Sequence, residues 1–426
     1  MRVRHTKSPT SISARSNRSD TREAARDLAV KLRASMAFRP DILVMFGSFH
    51  HRALFSDALD ILRSELHPAH VLACTTRSVI SDSEELEGAA GMSALALSIP
   101  GLVARPFWFD LTDGPPAIWS EAFIRGRVAL APDEGDSHGV LPHAGILMLA
   151  DPFSINAGQV CAAIDAAAGA RGARIVGGIA SGASHAGLNV LAADRRIAHM
   201  GVVGLSLFGD LSIDCLMSSG CRPIGSPIVV TKARGTQILE LGGRPALTAA
   251  QEMAESLPDS ERALFAQGLL VGVAVNAAKP RLGRGDFLVR PVQALDATRG
   301  AISITEPVAV GSTIQFQVRD AQTAKEDLSM LLDGEVMKDP PIGTLLFACE
   351  SRGSHLYGLS EGDAALVHRR LGGTPIAGFH CSGEIGVFGS RSLVQSQAVA
   401  AAIFRSRPRG FPHGPSWPHG SPTTGA

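Results

Sequence analysis

The chain has 426 residues, 45 % hydrophobic, with 40 Lys+Arg against 40 Asp+Glu and a formal net charge of zero. That balance argues against a nucleic-acid partner, which would select concentrated basic charge to release counterions. No apolar run reaches the roughly 18–20 residues needed to span a bilayer, and no secretory segment follows the first residues.

Residues 1–30 read as a disordered basic tail. Arg2, Arg4, Lys7, Arg15 and Arg18 stand among Ser and Thr, with no acid before Asp20. An organelle transit peptide has the same composition. The first buried strand is "DILVMFGS" (41–48), because a continuous apolar run of this length suits a strand covered on both faces. A helix follows, with Leu54, Ala58, Ile61, Leu62 and Leu66 on one face. A second strand, "VLACTTRS" (71–78), and a third, "MSALALSI" (92–99), complete the unit.

The pattern then recurs. "GILMLADP" (145–152), "IVGGIASG" (175–182) and "AHMGVVGLSLFG" (198–209) form a second copy. "GTLLFACE" (343–350), "IAGFHCSG" (376–383) and "LVQSQAVAAAIF" (393–404) form a third. Leu43 to Ala73 and Leu147 to Gly177 are both 30 residues apart, and Leu346 to Gly378 is 32. Each unit therefore reads as β-α-β with a returning strand, and the parallel pair demands a helical crossover. In the third copy Ser360 and Asp363 suggest a capping box, and Gly372 a helix stop.

Residues 213–335 differ. A helical stretch (246–267) precedes "GLLVGVAV", "DFLVRPVQA", "AISITE" and "STIQFQVRD", with a hairpin turn expected at Asp296–Gly300. The predicted fold is α/β: repeated β-α-β-β units forming mixed sheets covered by helices, with an antiparallel insertion in the C-terminal half. The expected division is a two-unit domain over 31–235, a domain of the third unit plus antiparallel sheet over 236–405, and a disordered tail over 406–426. His413 and His419 in that tail could catch metal adventitiously.

Among the residues, "GFHCSGEIG" (378–386) carries the densest chemistry. Its glycines imply a strand that turns sharply. Cys381 is the candidate nucleophile, but it needs a base, a cation or a helix N-terminus to depress its pKa. His380 is adjacent along an extended strand and so faces the other way. Cys349, ending the neighbouring strand, could lie nearby. Arg222, Arg290 and Arg319 suit a carboxylate ligand, since a guanidinium grips one bidentately. Pairing of Arg319 with Asp320, or of Arg290 with Asp286, is the purely structural alternative. Six dispersed cysteines, at 74, 161, 215, 221, 349 and 381, fit a reducing compartment and offer no metal spacing. No cofactor loop, zinc-hydrolase helix or nucleophile elbow occurs in the sequence.

Several strings in order, "SSGCRPIGSPIVVTKARGTQILELGGRPAL" (218–247), "DFLVR" (286–290), "QFQVRDA" (315–321) and "GFHCSGEIG" (378–386), resemble the FIST family (F-box and intracellular signal transduction). The resemblance runs over about 41–404 and takes in both the N-terminal and the C-terminal FIST segments. It implies a cytoplasmic sensory module for a small ligand, an amino acid or other small anion, that signals through a separate protein. The residues' own chemistry makes Arg222, Arg290, Arg319, His380, Cys381, Ser382, Gly383 and Glu384 the candidates to hold it. A thiol-dependent enzyme using Cys381 and an interaction scaffold without a ligand are the alternatives. The first copy departs from the family pattern: Ala73, Ser78 and Val79 stand where the third has Gly378, Gly383 and Glu384.

Overall fold

Three copies of one topology, each completed by a neighbour, organise the chain. The computed structural model describes residues 8–130, 141–169, 172–358 and 362–407. In the first unit the strand Ile42–Ser48 runs parallel to His70–Thr76 through the helix Phe55–Leu66, and Met92–Ser98 returns antiparallel. The second repeats this with His143–Ala150, helix Ala157–Ala168, Ile175–Ile179 and Val202–Phe208. The third uses Gly343–Cys349, helix Asp363–Arg370, Ile376–Cys381 and Val399–Ser406. Every residue of the strand opening the first and third units is buried, which is why these strands read as unbroken apolar runs.

Each unit also has an outer strand against its returning one: Thr10–Ser16, Val103–Phe109 and Leu211–Ser218. Its other edge is closed by a hairpin from a different unit. The first unit's hairpin, Val79–Ser81 with Glu84–Leu86, joins the third sheet along Ile376–Cys381. The third unit's hairpin, Glu384–Phe388 with Arg391–Gln395, joins the second sheet along Ile175–Ile179. The second unit's, Leu191–Ala193 with Arg196–Ala198, joins the first along His70–Thr76. The exchange is cyclic, so three six-stranded sheets close into a ring. Their inner faces share one core, where Phe46, Phe347 and Phe379 pack with ring centroids 4.8–6.1 Å apart. Burying an edge strand under another unit's hairpin also removes an exposed ladder of unpaired N–H and C=O groups.

The antiparallel insertion enters the third unit between its outer strand and the helix Ala321–Val336. Its strands Thr313–Arg319, Ile228–Arg234, Gln237–Leu241, Ala301–Ile304, Phe287–Asp296 and Leu270–Ala274 pair in that order, and the last pairs again with the first. The result is barrel-like, filled by Val230, Ile238, Ile302, Ile314 and Phe316, with the helix Ala246–Ser256 packed on it. The expected hairpin turn lies between Asp296 and Ala301. The expected helical stretch 246–267 is two helices, broken at Leu257–Pro258 because proline cannot continue the first. Residue 236 sits in the turn joining Ile228–Arg234 to Gln237–Leu241, so chain on either side of it belongs to the barrel.

Residues 10–30 correct the expectation of a disordered N-terminal tail. Thr10–Ser16 is the outer strand of the first sheet, and Thr21–Ser35 is a helix capped by Asp20, whose side chain accepts from the Glu23 N–H. The basic residues misled because they sit at the rim: Arg15 pairs with Glu84, while Ala24, Ala25, Leu28, Ala29 and Leu32 are buried. Residues 1–7 and 408–426, and Ser360 of the expected capping box, lie outside the described residues. Asp363 pairs with Arg352. The helix it opens does stop as expected, with Gly372 at φ +70°.

Candidate functional site

The ring brings the C-terminal ends of its second strands together, the end where ligands gather in open α/β sheets. The Arg77 N–H donates to Ser181 Oγ at 3.0 Å, and Ser181 Oγ donates to the His380 carbonyl. The Ser382 N–H donates to the Ile179 carbonyl at 3.0 Å, and the Ile179 N–H to the Gly383 carbonyl at 2.9 Å. One turn from each unit thus meets the other two.

In the third turn neighbouring side chains face opposite ways, as an extended strand requires. His380 turns outward to Ser78 Oγ (2.7 Å from Nδ1) and Glu85 (3.1 Å from Nε2). Cys381 turns inward and donates to the Ala348 carbonyl and to Glu384 Oε1, both at 3.2 Å. Glu384 is fully buried, and its Oε2 accepts the Ala398 N–H at 2.8 Å. Burial pushes the Glu384 carboxyl up to about 8, so it is largely neutral at pH 7. Burial, then the Glu384 carboxylate and Cys349, raise the Cys381 thiol well above its ordinary value. Ser382 is exposed at the turn.

These surroundings are the reverse of what a thiolate nucleophile needs. Native protein in iodoacetamide at pH 7.5 should leave Cys381 unmodified while a denatured control labels fully, as peptide mass mapping would show. Rapid native labelling of Cys381 would revive thiol chemistry.

The glycines of this turn do not serve to bend the strand. Gly378, Gly383 and Gly386 all have ordinary negative-side φ values. Each instead admits a close neighbour: a Cβ would fall 1.9 Å from the Leu346 carbonyl oxygen at Gly378, 2.9 Å from Ile179 Cδ1 at Gly383 and 2.5 Å from Met217 Cε at Gly386. The chain does turn at Ser382–Gly383, as expected, but these glycines serve the close contacts and not a left-handed backbone.

The three arginines part company. Arg222 pairs with Glu261 at 2.5 Å and stays away from the turn. Arg290 is buried and pairs with Glu306 at 2.8 Å, not with Asp286, while its Nη1 reaches Gln395 Oε1 at 3.5 Å. Arg319 pairs with neither Asp320 nor any other carboxylate within 4.0 Å among the described residues; it donates to Ser351 Oγ at 2.9 Å and to the Ser351 carbonyl at 3.0 Å. Ser351 Oγ lies 3.0 Å from Cys349 Sγ and 2.9 Å from Gln397 Oε1. Cys349 is directly opposite Cys381 in the parallel register. So Arg290 and Arg319 reach the segment 395–397 and Ser351 beside the third turn, and Arg222 does not.

Beside Arg319 stands Arg352, fully buried, with Nε and Nη2 on Asp363 at 2.6 and 2.8 Å and Nη2 on the Tyr357 hydroxyl at 2.7 Å. Asp363 matches the charge of Arg352, and among the described residues no carboxylate does the same for Arg319. Desolvation lowers the Arg319 pKa, and the nearby Arg352 charge adds to this. Gln317, on the same face of the strand as Arg319, is fully buried with Oε1 unpartnered. A crevice of about 800 Å³ runs between barrel and third unit, bordered by Ser219, Phe287, Phe388 and Gln395; Arg319, Gln317, Ser351 and Gln397 do not line it. Ser351 lies just past its strand, at the end where such sheets gather ligands, as expected of residues 350–352. Gln317, Gln395 and Gln397 have no such signal, because isolated polar residues carry no spacing pattern.

A ring of three β-α-β units with a barrel-like insertion in the last defines the class of protein. The FIST N domain matches residues 41–244 and the FIST C domain residues 249–387; the chain belongs to the FIST family. It is 34 % identical over 390 residues to an uncharacterized protein of Mycobacterium tuberculosis (strain CDC 1551 / Oshkosh), covering 90 % of this chain and 97 % of that one. It is 33 % identical over 388 residues to an uncharacterized protein of Mycobacterium bovis, covering 90 % and 96 %. Among solved structures, a cyanuric acid hydrolase from A. caulinodans aligns over 94 % of this chain and 100 % of its own at a TM-score of 0.36 and 9 % identity. A likeness that low carries no argument. No helix among the described residues is long and apolar enough to cross a membrane.

Proposed function

We propose that this chain is a stand-alone sensory module that binds a small anion, best an amino acid, between the barrel and the third unit. FIST domains are associated with signal transduction and small-ligand sensing. The carrying observation is Arg319: a half-buried guanidinium that, among the described residues, is held by neutral groups of Ser351 and no carboxylate, beside a second arginine whose charge is already matched. A desolvated cation of this kind favours a carboxylate that can take two of its N–H groups. The unpartnered Gln317 Oε1 supports the same reading, because buried acceptors are rarely left unmatched and an ammonium group would supply a donor. Gln397 and Ser351 would add polar contacts beside Arg319, and His380–Glu384 would support the site from behind rather than touch the ligand. The output passes to a separate protein in the cytoplasm, in keeping with six free cysteines.

Thermal melting against the amino acids and short dicarboxylates tests this. A cognate ligand at 100 times its Kd should stabilise the fold by about 2.7 kcal/mol. Arg319→Gln should abolish that stabilisation while leaving the unliganded melting temperature within a few degrees. A panel without any stabilising carboxylate would remove the reading's support.

A further inference from the structure

The hairpin that the first unit contributes to the third carries two carboxylates onto a buried imidazole. His380 is 3 % exposed, and its Nε2 lies 3.1 Å from Glu85 Oε2. One donor atom each from Glu85, Glu87 and His380 can be chosen so that all lie within 4.8 Å of one another. The far side of the ring is fixed by Ser78 Oγ, 2.7 Å from Nδ1, which leaves Nε2 aimed at the carboxylates.

Both carboxylates are held in place from outside the cluster. Ala364 N–H donates to Glu85 Oε1 at 2.9 Å; Ser354 N–H and Oγ donate to Glu87 Oε1 and Oε2 at 2.7 and 2.9 Å. These donors orient the acids without offsetting their charge, and an oxygen that accepts one of these bonds has a second lone pair for a cation. Gly353, at φ +54°, keeps the space between the donors open. A Cβ there would stand 2.5 Å from Glu87 Oε1 and 2.9 Å from His380 Nε2, so the point that touches both an acid oxygen and the imidazole nitrogen is left without a side chain.

We propose that Glu85, Glu87 and His380 bind a divalent cation, fastening the first unit's hairpin to the third unit. One imidazole and two carboxylates form a borderline donor set suited to Zn²⁺ or Mn²⁺. Ser78 is the outer partner that sets the imidazole's orientation. Glu87 is exposed, so the remaining coordination positions open to water. Sequence spacing hides the site, because residues 85 and 87 and residue 380 meet only through the hairpin exchange.

The test is calorimetric titration of the EDTA-stripped, dialysed full chain with ZnCl₂ and with MnCl₂. Because His413 and His419 could take up metal themselves, the chain is compared with its His413→Ala/His419→Ala variant. One equivalent of at least one of the ions should bind in both proteins, and Glu87→Gln, an exposed and near-isosteric change, should weaken that binding by at least about tenfold. His380→Gln should do the same, and the Glu87 variant decides the matter if His380→Gln does not fold. Absence of uptake, uptake lost in the tail variant, or uptake unchanged by Glu87→Gln would each overturn the proposal.

Discussion

Asp363→Ala should lower the unfolding free energy by about 3–5 kcal/mol, the cost of leaving a buried charge without its partner. Arg352 is 0 % and Asp363 1 % exposed, and their contact is bidentate. Removing the acid strands a guanidinium that water cannot reach. Its remaining partners, the Tyr357 hydroxyl and the Gln397 carbonyl, are neutral. The double variant Arg352→Met/Asp363→Ala should recover most of the loss, since no unpaired charge then remains. Denaturant unfolding of the three proteins gives the comparison. A single-variant loss under about 1 kcal/mol would mean that water or rearrangement satisfies Arg352.

Glu384→Gln should stabilise the protein increasingly as pH rises from 5 to 8. The folded chain holds the Glu384 proton up to about pH 8, whereas an unfolded glutamate loses it near 4.5. The stability that the neutral acid contributes is therefore complete below pH 4.5 and is lost as pH climbs to 8, at about 1.4 kcal/mol per unit. Glutamine has no proton to lose, and its amide oxygen can still accept the Ala398 N–H. Melting curves of the two proteins should lie close at pH 5 and separate by a difference on the order of a few kcal/mol at pH 8. A separation independent of pH would show that Glu384 is ionised in the folded state.

Much of the architecture is legible in the sequence because it rests on local signals. Strands buried on both faces announce themselves as apolar runs such as "ILVMF", and three similar offsets expose the repeat. What the sequence hides is non-local. Nothing in "VISDSEEL" says that Val79–Ser81 leaves its own sheet for Ile376–Cys381, because a three-residue strand looks the same in either place. Thr10–Ser16 is missed for a related reason: an edge strand with polar, partly exposed residues resembles a tail until its partner Met92–Ser98 is known. The candidate site divides the same way. The opposite facing of His380 and Cys381 follows from strand geometry alone. The pairing of Arg290 with Glu306 depends on how the barrel's own strands pair, and that of Arg319 with Ser351 on how the barrel sits on the third unit.

The account turns on Arg319 as the carboxylate anchor, and a crystal structure of the chain soaked with its most stabilising amino acid tests this most directly. The predicted result is density for a carboxylate within hydrogen-bond distance of both Arg319 Nη atoms, with Ser351 Oγ displaced from Nη1. A stabilising amino acid found elsewhere, with the Arg319–Ser351 contacts intact, would contradict it.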